Sequence, residues 1–189
     1  LALIGPNARS AKIMGGGSAG VRPYRNVSPL SALTERTNLE ITYAQGCDID
    51  RTTPPIETPI LSTPIEVDFY NSHSIGGEIA AHKTYSRADF KFFGSPTKGV
   101  DPHTYSFSGK ATITPEISGK HELRLVQSGK TRIRINNEVI IDATEGDYGK
   151  GDDFFGMGSA EIIAEIDLQA GRELSLIHIS EPTRQSAIS

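Results

Sequence analysis

Residues 151–161, GDDFFGMGSAE, place groups that could do chemistry beside groups that could bind a ligand. Asp152 and Asp153 are followed at once by Phe154 and Phe155, and glycines flank all four. Glycine and aspartate are typical of a solvated loop, whereas two adjacent phenyl rings in such a loop need something to cover them. The segment therefore predicts either a ligand-binding loop or rings that anchor the loop to its own core.

Further carboxylates lie just before this segment. The group comprises Asp142, Glu145, Asp147, Asp152 and Asp153. Several oxygens at short spacing could hold calcium, but the spacing matches no EF-hand loop, and a solvated acidic loop is the simpler interpretation. Nothing nearby would exclude water and separate two carboxyl pKa values, so no general acid and base pair is predicted here.

The other reactive side chains form no pattern. The histidines lack the spacing of metal ligands and are interpreted as surface residues: His73, His82, His103, His121 and His178. Cys47 has no evident histidine partner and is predicted to be a buried apolar side chain. We therefore predict no metal site, with Asp152 and Asp153 as the alternative calcium pair.

The glycine run GGGSAG, residues 15–20, has the glycine spacing of a dinucleotide-binding loop. It begins about ten residues after the first predicted strand, and Pro23 follows soon after, so it does not open a helix. We predict no nucleotide site and no cofactor. A loop at the carboxyl edge of a strand can still face a substrate.

Composition and charge exclude some partners. The chain has 189 residues, of which 37% are hydrophobic and 22% are charged, as in an ordinary globular protein. The net charge of −4 leaves no basic surplus for a general nucleic-acid binder. No run approaches the roughly 18–20 apolar residues of a membrane span, so we expect neither nucleic acid nor membrane as a partner. A single cysteine leaves the cellular compartment undetermined.

The first part of the chain has an α/β pattern. LALI is a continuous apolar run, as in a buried parallel strand. SPLSALTERTN starts with Ser28 as a helix N-cap and Pro29 at the first helical position, and LEITYAQG reads as the next strand. We assign residues 1–50 to the N-terminal piece of an α/β-sandwich domain. The proline-rich residues 51–65 are predicted to be an extended linker over a surface.

Residues 66–175 have a strand pattern throughout. In HELRLVQSGKTRIRINNEVIIDA apolar and polar residues alternate, with turn residues at Ser128-Gly129 and Asn136-Asn137. This indicates an antiparallel meander with one buried face. TYSFSGKATITP and SAEIIAEIDLQAG add strands. The predicted fold class is mainly β, an antiparallel β-sandwich preceded by a truncated α/β-sandwich start.

Two resemblances combine in the chain. LALIGPNARSAKIMGGGSAGVRPY resembles the opening of the α/β-sandwich domain of glycoside hydrolase family 3, chiefly β-glucosidases, through Ile4–Ala8, Gly15–Ala19 and Pro23-Tyr24. The β part, including GDDFFGMGSAE, resembles the protective-antigen-type (PA-fourteen) sandwich that some members carry as an insertion. The resemblance implies a fragment of a retaining β-glucosidase-like enzyme whose substrate is an oligosaccharide or β-glucoside.

The resemblance also implies where catalysis takes place. The nucleophilic Asp of that family lies in a preceding barrel domain, and the acid/base Glu lies in the remainder of the α/β domain after the inserted sandwich. These missing domains are the expected partners. We therefore assign no catalytic residue, and the fragment alone is expected to be inactive.

For binding, the resemblance implies that the sandwich leans over the active-site mouth and shapes the subsite for the leaving-group sugar. The substrate-binding residues it implies are Phe154, Phe155 and Asp153, with one ring facing the sugar. The alternative is a stand-alone, adhesin-like carbohydrate-binding sandwich in which Asp152 and Asp153 hold calcium. Two features depart from the common pattern: Asn136-Asn137 replace Asp-Gly, and the chain has no Trp.

The end of the chain has a resemblance of another kind. LSLIHISEPTR, residues 174–184, resembles a sequencing adapter translated in frame. Residues 176–189 are accordingly predicted to be a non-native tail. The alternative is a natural strand followed by a polar tail.

Overall fold

The computed structural model describes residues 1–11, 24–47, 49, 53–152 and 156–182. The chain divides into two compact units, Leu1–Thr52 and Thr53–Ser189. In the described part of the chain, no helix is both long and apolar enough to cross a membrane.

The first unit is a small α/β piece. Its elements are β1 (Ala2–Ile4), α1 (Pro6–Arg9), α2 (Pro29–Arg36) and β2 (Thr42–Ala44). β1 and β2 pair in parallel, as the apolar run and the intervening helix predict. The glycine run 15–20 lies outside the described residues.

The start of α2 confirms the predicted capping pattern. Ser28 has an extended backbone, and its Oγ accepts a hydrogen bond from the Ser31 backbone N–H at 3.1 Å. Pro29 occupies the first turn, where its missing N–H leaves no helical bond unmade. Cys47, however, is exposed, so the prediction that it is buried is wrong. It follows β2 in a bend, and none of the described residues of this unit is fully buried.

In the second unit, the described residues form eight strands. They are β3 (Ile65–Tyr70), β4 (Ala81–Tyr85), β5 (Ser106–Ile113), β6 (Gly119–Leu125), β7 (Lys130–Ile135), β8 (Glu138–Ala143), β9 (Ile162–Leu168) and β10 (Leu174–Glu181). Six form an antiparallel sheet in the order β4-β3-β5-β10-β7-β8, and β6 pairs with β9 in a separate two-stranded sheet.

The core lies between these two sheets. Val67 and Phe69 of β3 are fully buried, and the apolar side chains on the same face of the six-stranded sheet surround them. Leu125 of β6 is buried with them, and Leu123, Ile162, Ala164, Ile166 and Leu168 pack against the cluster from β6 and β9. Two sheets that enclose one apolar layer make an antiparallel β-sandwich, so the predicted fold class is confirmed.

One predicted hairpin forms and another does not. β7 and β8 pair across Asn136 and Asn137, whose φ angles of 49° and 68° suit a tight hairpin turn. The predicted meander is wrong for β6, which pairs with β9 and not with β7. Both sheets have one buried face, so β6 and β7 show the same alternation although they belong to different sheets.

The predicted linker is in close contact with the sandwich at its second half. Leu61 is only 5% exposed and belongs to the core. The Ser62 N–H donates to the Thr112 carbonyl oxygen at 2.9 Å, and the Thr114 N–H donates to the Ile60 carbonyl oxygen at 2.9 Å. The segment therefore lies along β5.

The last strand lies inside the six-stranded sheet. β10 pairs with β5 on one side and with β7 on the other, and Leu174 and Leu176 are buried. Residues 176–181 of the predicted non-native tail thus belong to a central strand. The origin of the tail remains a prediction, and residues 183–189 lie outside the described residues.

Candidate functional site

The loop between β8 and β9 has a hydrogen-bonded base. The Gly151 N–H donates to the Gly158 carbonyl oxygen at 2.9 Å, and the Ala160 N–H donates to the Gly149 carbonyl oxygen at 3.2 Å. Lys150 and Ser159 face each other in an antiparallel bridge. We call residues 149–151 and 158–160 the neck and residues 152–157 the tip. The neck holds the two ends of the tip together.

The neck is attached to the crossover between the two sheets. The Ser159 N–H donates to the Gln127 carbonyl oxygen at 2.7 Å, and the Gln127 N–H donates to Ser159 Oγ at 3.2 Å. Gln127 Nε2 also donates to the Ala143 carbonyl oxygen at 2.9 Å. Gln127 lies between β6 and β7, so this side chain and its backbone position the neck relative to both sheets.

The loop requires glycine at two close approaches. A Cβ on Gly151 would lie 2.2 Å from the Ser159 carbonyl oxygen, which is a backbone atom that cannot move aside easily. Gly146 has a φ of +113°, and a Cβ there would lie 3.3 Å from the Tyr148 ring. The Tyr148 hydroxyl in turn donates to the Glu145 carbonyl oxygen at 2.7 Å.

An open cavity of about 450 Å³ lies beside the neck. Its glycines expose backbone, Tyr148 and Met157 contribute apolar surface, and Asp147 and Lys150 contribute charge. A surface of this kind can accept a ligand with both hydroxyl groups and apolar faces. The lining residues are Gln127, Ser128, Gly129, Gly146, Asp147, Tyr148, Gly149, Lys150, Gly156, Met157, Gly158 and Ser159.

The predicted carboxylate group does not converge on one point where the structure describes it. Thr144 donates its hydroxyl to Asp142 and Arg132 also binds this carboxylate, and both contacts lower the pKa of Asp142. Glu145 pairs with Lys130 at 2.8 Å, and Asp147 accepts from the Gly149 N–H at 2.9 Å. Among the described residues, no three His, Cys, Asp or Glu side chains could together hold a metal ion.

The sequence-predicted binding residues lie at the tip. Asp152 is exposed at its start, whereas Asp153, Phe154 and Phe155 lie outside the described residues. Their roles, and the alternative calcium pair Asp152 and Asp153, therefore remain predictions. The structure adds Gln127, Ser159 and Gly151 as the residues that fix the neck. The glycine density of 146–158 was the available signal, but it did not identify their partners.

Glu161, the carboxylate that ends GDDFFGMGSAE, has a structural position. It accepts from the Thr53 N–H at 2.9 Å and from Arg124 Nη1 at 2.7 Å. The Thr53 contact, followed by the Arg124 contact, lowers the pKa of Glu161. A carboxylate held ionised by two donors connects β6, the start of β9 and the segment before β3.

Two antiparallel sheets around one apolar core, with a long loop between β8 and β9, place the second unit among the β-sandwich domains. The family profile of the PA14 domain matches residues 65–176, which is more than half of the chain. The chain therefore belongs to the PA14 domain family, and the expected protective-antigen-type resemblance is confirmed.

Similarity to β-glucosidases extends over both units. The chain is 29% identical to a β-glucosidase of Rhizobium radiobacter over 94% of its own length and 21% of that protein. It is 28% identical to the probable β-glucosidase I of Aspergillus niger over 93% of its own length and 22% of that protein. The chain thus spans about a fifth of the length of the curated relatives it matches.

Solved structures show the same fold. A Kluyveromyces marxianus β-glucosidase in complex with glucose superposes with a TM-score of 0.78 at 23% identity, over 96% of this chain and 24% of that one. An anti-sigma factor domain-containing protein from Clostridium clariflavum superposes with a TM-score of 0.50 at 18% identity, over 61% of this chain and 36% of that one. The sandwich fold therefore occurs both in a β-glucosidase and in a protein that is not described as one.

Proposed function

We propose that this chain is a non-catalytic part of a retaining, β-glucosidase-like hydrolase of glycoside hydrolase family 3, in which the sandwich shapes the subsite for the leaving-group sugar. The observation that carries the proposal is the neck, whose hydrogen bonds to Gln127, and through Gln127 to Ala143, fix residues 149–151 and 158–160 relative to both sheets. The similarity to β-glucosidases along more than nine-tenths of the chain supports the choice of enzyme. The glucose complex of the Kluyveromyces marxianus protein supports a glycoside as substrate.

The chemistry divides between this chain and the rest of the enzyme. A retaining glycosidase needs a nucleophilic carboxylate and an acid/base carboxylate close together across the scissile bond. Of the described carboxylates at the end of β8 and in the loop, Asp142, Glu145 and Asp147 are each held by a separate donor, and Asp152 is exposed. The sandwich therefore contributes binding, and the catalytic carboxylates belong to the barrel domain and the rest of the α/β domain.

The tip residues supply the contact that binding needs. A sugar ring has apolar C–H faces that pack on an aromatic ring, and a phenylalanine loses little conformational entropy when it makes such a contact. Phe154 or Phe155 faces the leaving-group sugar, and the other ring packs onto the sandwich. Asp153 supplies a carboxylate that can accept sugar hydroxyl hydrogen bonds.

The test uses the intact enzyme that contains this sandwich. Phe154→Ala and Phe155→Ala are compared by kcat/KM on a disaccharide and on an aryl glucoside. Loss of a stacking ring corresponds to roughly 1–3 kcal/mol, which is about five- to 150-fold in kcat/KM for the disaccharide. The aryl glucoside lacks the leaving-group sugar and should lose less. The substrate-facing variant should change this selectivity without changing the Tm, and the packed variant should do the reverse.

Phe93→Ala is the matched control, because Phe93 is 67% exposed and lies outside the tip. It should leave the ratio of the two kcat/KM values unchanged. Wild-type selectivity in both tip variants would show that the tip is structural. Calcium-dependent sugar binding by the isolated chain, abolished in Asp152→Asn, would instead support the adhesin-like alternative, which the comparisons do not favour.

A further inference from the structure

The exposed face of β3 and β4 carries a histidine between two carboxylates. His82 on β4 lies opposite Asp68 on β3, and Thr84 lies opposite Glu66. His82 Nδ1 is 2.7 Å from Asp68 Oδ1, and His82 Nε2 is 2.7 Å from Glu66 Oε2. The two carboxylates lie two residues apart on one strand, so they share a face and reach both sides of the same imidazole ring.

This geometry specifies a protonation state. A neutral imidazole has one N–H and one acceptor nitrogen, whereas an ionised carboxylate only accepts hydrogen bonds. Both nitrogens of His82 therefore donate only when the ring is an imidazolium. In the neutral ring, one nitrogen lone pair would face a carboxylate oxygen at 2.7 Å, which is repulsive.

β4 is the strand that this contact holds. It is one of the two edge strands of the six-stranded sheet, and its hydrogen-bonded neighbour in that sheet is β3. We propose that the protonation state of His82 controls how firmly the edge strand β4 is held to β3. The charged ring stabilises the pairing of the two strands, and the neutral ring weakens it. An edge strand that loosens exposes unpaired backbone groups to other chains.

The surrounding charges agree with this role. The Asp68 and Glu66 hydrogen bonds raise the pKa of His82 above its ordinary value of 6.5. Thr84 donates to Glu66 at 3.0 Å, and Lys110 of β5 lies opposite Glu66 on the other side. Asp68 also raises the pKa of Tyr70, after burial. Lys83 belongs to the opposite face of β4, because neighbouring residues of a strand alternate.

The sign of the effect follows from the raised pKa. The folded protein holds the His82 proton more tightly than the unfolded chain does. The contact of His82 with the two carboxylates therefore contributes its full stabilisation below pH 6.5. That stabilisation is lost as the pH rises through the higher pKa of the folded state. β4 should therefore be held more firmly to β3 in mildly acidic than in mildly alkaline solution.

The experiment measures His82 and β4 separately in the full chain. The ring proton resonances of His82 should titrate above pH 6.5, and Asp68→Asn or Glu66→Gln should lower that midpoint. Hydrogen exchange, expressed as protection factors to remove the intrinsic pH dependence, should show the amides of β4 losing roughly two- to fivefold protection as His82 deprotonates. His82→Gln should abolish this pH dependence.

His121→Gln is the matched control, because His121 Nε2 contacts the Ile117 carbonyl oxygen and not a carboxylate. It should leave the behaviour of β4 unchanged. A His82 midpoint at or below 6.5, or the same pH dependence of β4 protection in His82→Gln, would overturn the proposal. Because His82 is exposed, its substitution should not prevent folding.

Discussion

Individual side chains in this protein take their properties from neighbours that are distant in sequence. His178 of β10 is half-buried, with its ring centroid 5.2 Å from that of Phe90 and 5.4 Å from that of Phe107. These apolar surroundings lower the pKa of the His178 imidazole from 6.5 to about 4. The sequence-based expectation of a surface histidine did not anticipate this, because the two rings approach only after β5 and β10 have paired.

The pH dependence of stability should report the environment of His178. The fold favours the neutral ring, so the stabilisation is complete above pH 6.5 and is lost as the pH falls towards 4. Since the ring is partly exposed, we expect a loss of about 1–3 kcal/mol in the free energy of unfolding over this range. His178→Leu keeps an apolar contact and should remove this slope, as measured by denaturant unfolding at several pH values.

A matched variant separates His178 from the other titrating groups. His103→Gln changes an exposed histidine in a turn and should keep the wild-type slope. The His82 effect has the opposite sign, so the comparison is best made in a His82→Gln background. Equal slopes in His178→Leu and in the parent would show that the ring is solvated in solution.

The elements of the sandwich hold the neck in place through backbone contacts. Gly151 permits the neck to close, because any side chain there would meet the Ser159 carbonyl group. Gly151→Ala should therefore separate the two sides of the neck and cost about 1–3 kcal/mol of stability. The Ser159 and Ala160 amides, which now donate to Gln127 and Gly149, should exchange faster with solvent.

Lys150→Ala is the control for this prediction. It removes an exposed side chain next to Gly151 but leaves the backbone contacts of the neck in place. Its Ser159 and Ala160 amides should remain protected. Wild-type protection of both amides in Gly151→Ala would show that close approach does not determine the shape of the loop.

In the whole molecule, the described buried apolar side chains are concentrated in one of the two units. The buried apolar side chains of the described residues run from Leu61 to Leu176, all within the second unit. In the first unit, Leu1 is 56% exposed and Ile4 is 74% exposed. Since burial of apolar surface is the main favourable term in folding, the sandwich should fold by itself and the first unit should be loosely held.

Hydrogen exchange of the full chain tests this division. Amides of β3, β5 and β7 should exchange only on global unfolding of the sandwich, whereas those of β1, β2 and α2 should exchange much faster. Urea should release the first unit at a lower concentration than the second. Equal protection in both units, or a single transition seen by probes in each, would contradict the prediction.

Sequence-based rules were sufficient to predict the features that depend on short stretches of the chain. The Ser28 cap, the parallel pair β1-β2 and the tight turn at Asn136-Asn137 follow from a side-chain oxygen, an apolar run and residues that tolerate positive φ. Alternation of apolar and polar residues likewise predicted the strands and the mainly β class. The motifs carried the resemblance to PA14 sandwiches and β-glucosidases, which the comparisons confirm.

The tertiary structure decided which strands meet and what each side chain touches. β6 and β7 have the same alternation, yet β6 pairs with β9, because an alternating pattern specifies a buried face but not a partner. The attachment of Ser159 to Gln127, the two carboxylates around His82 and the rings around His178 all join residues from separate segments. Such contacts depend on long-range packing, which sums many weak interactions and leaves no short motif in the sequence.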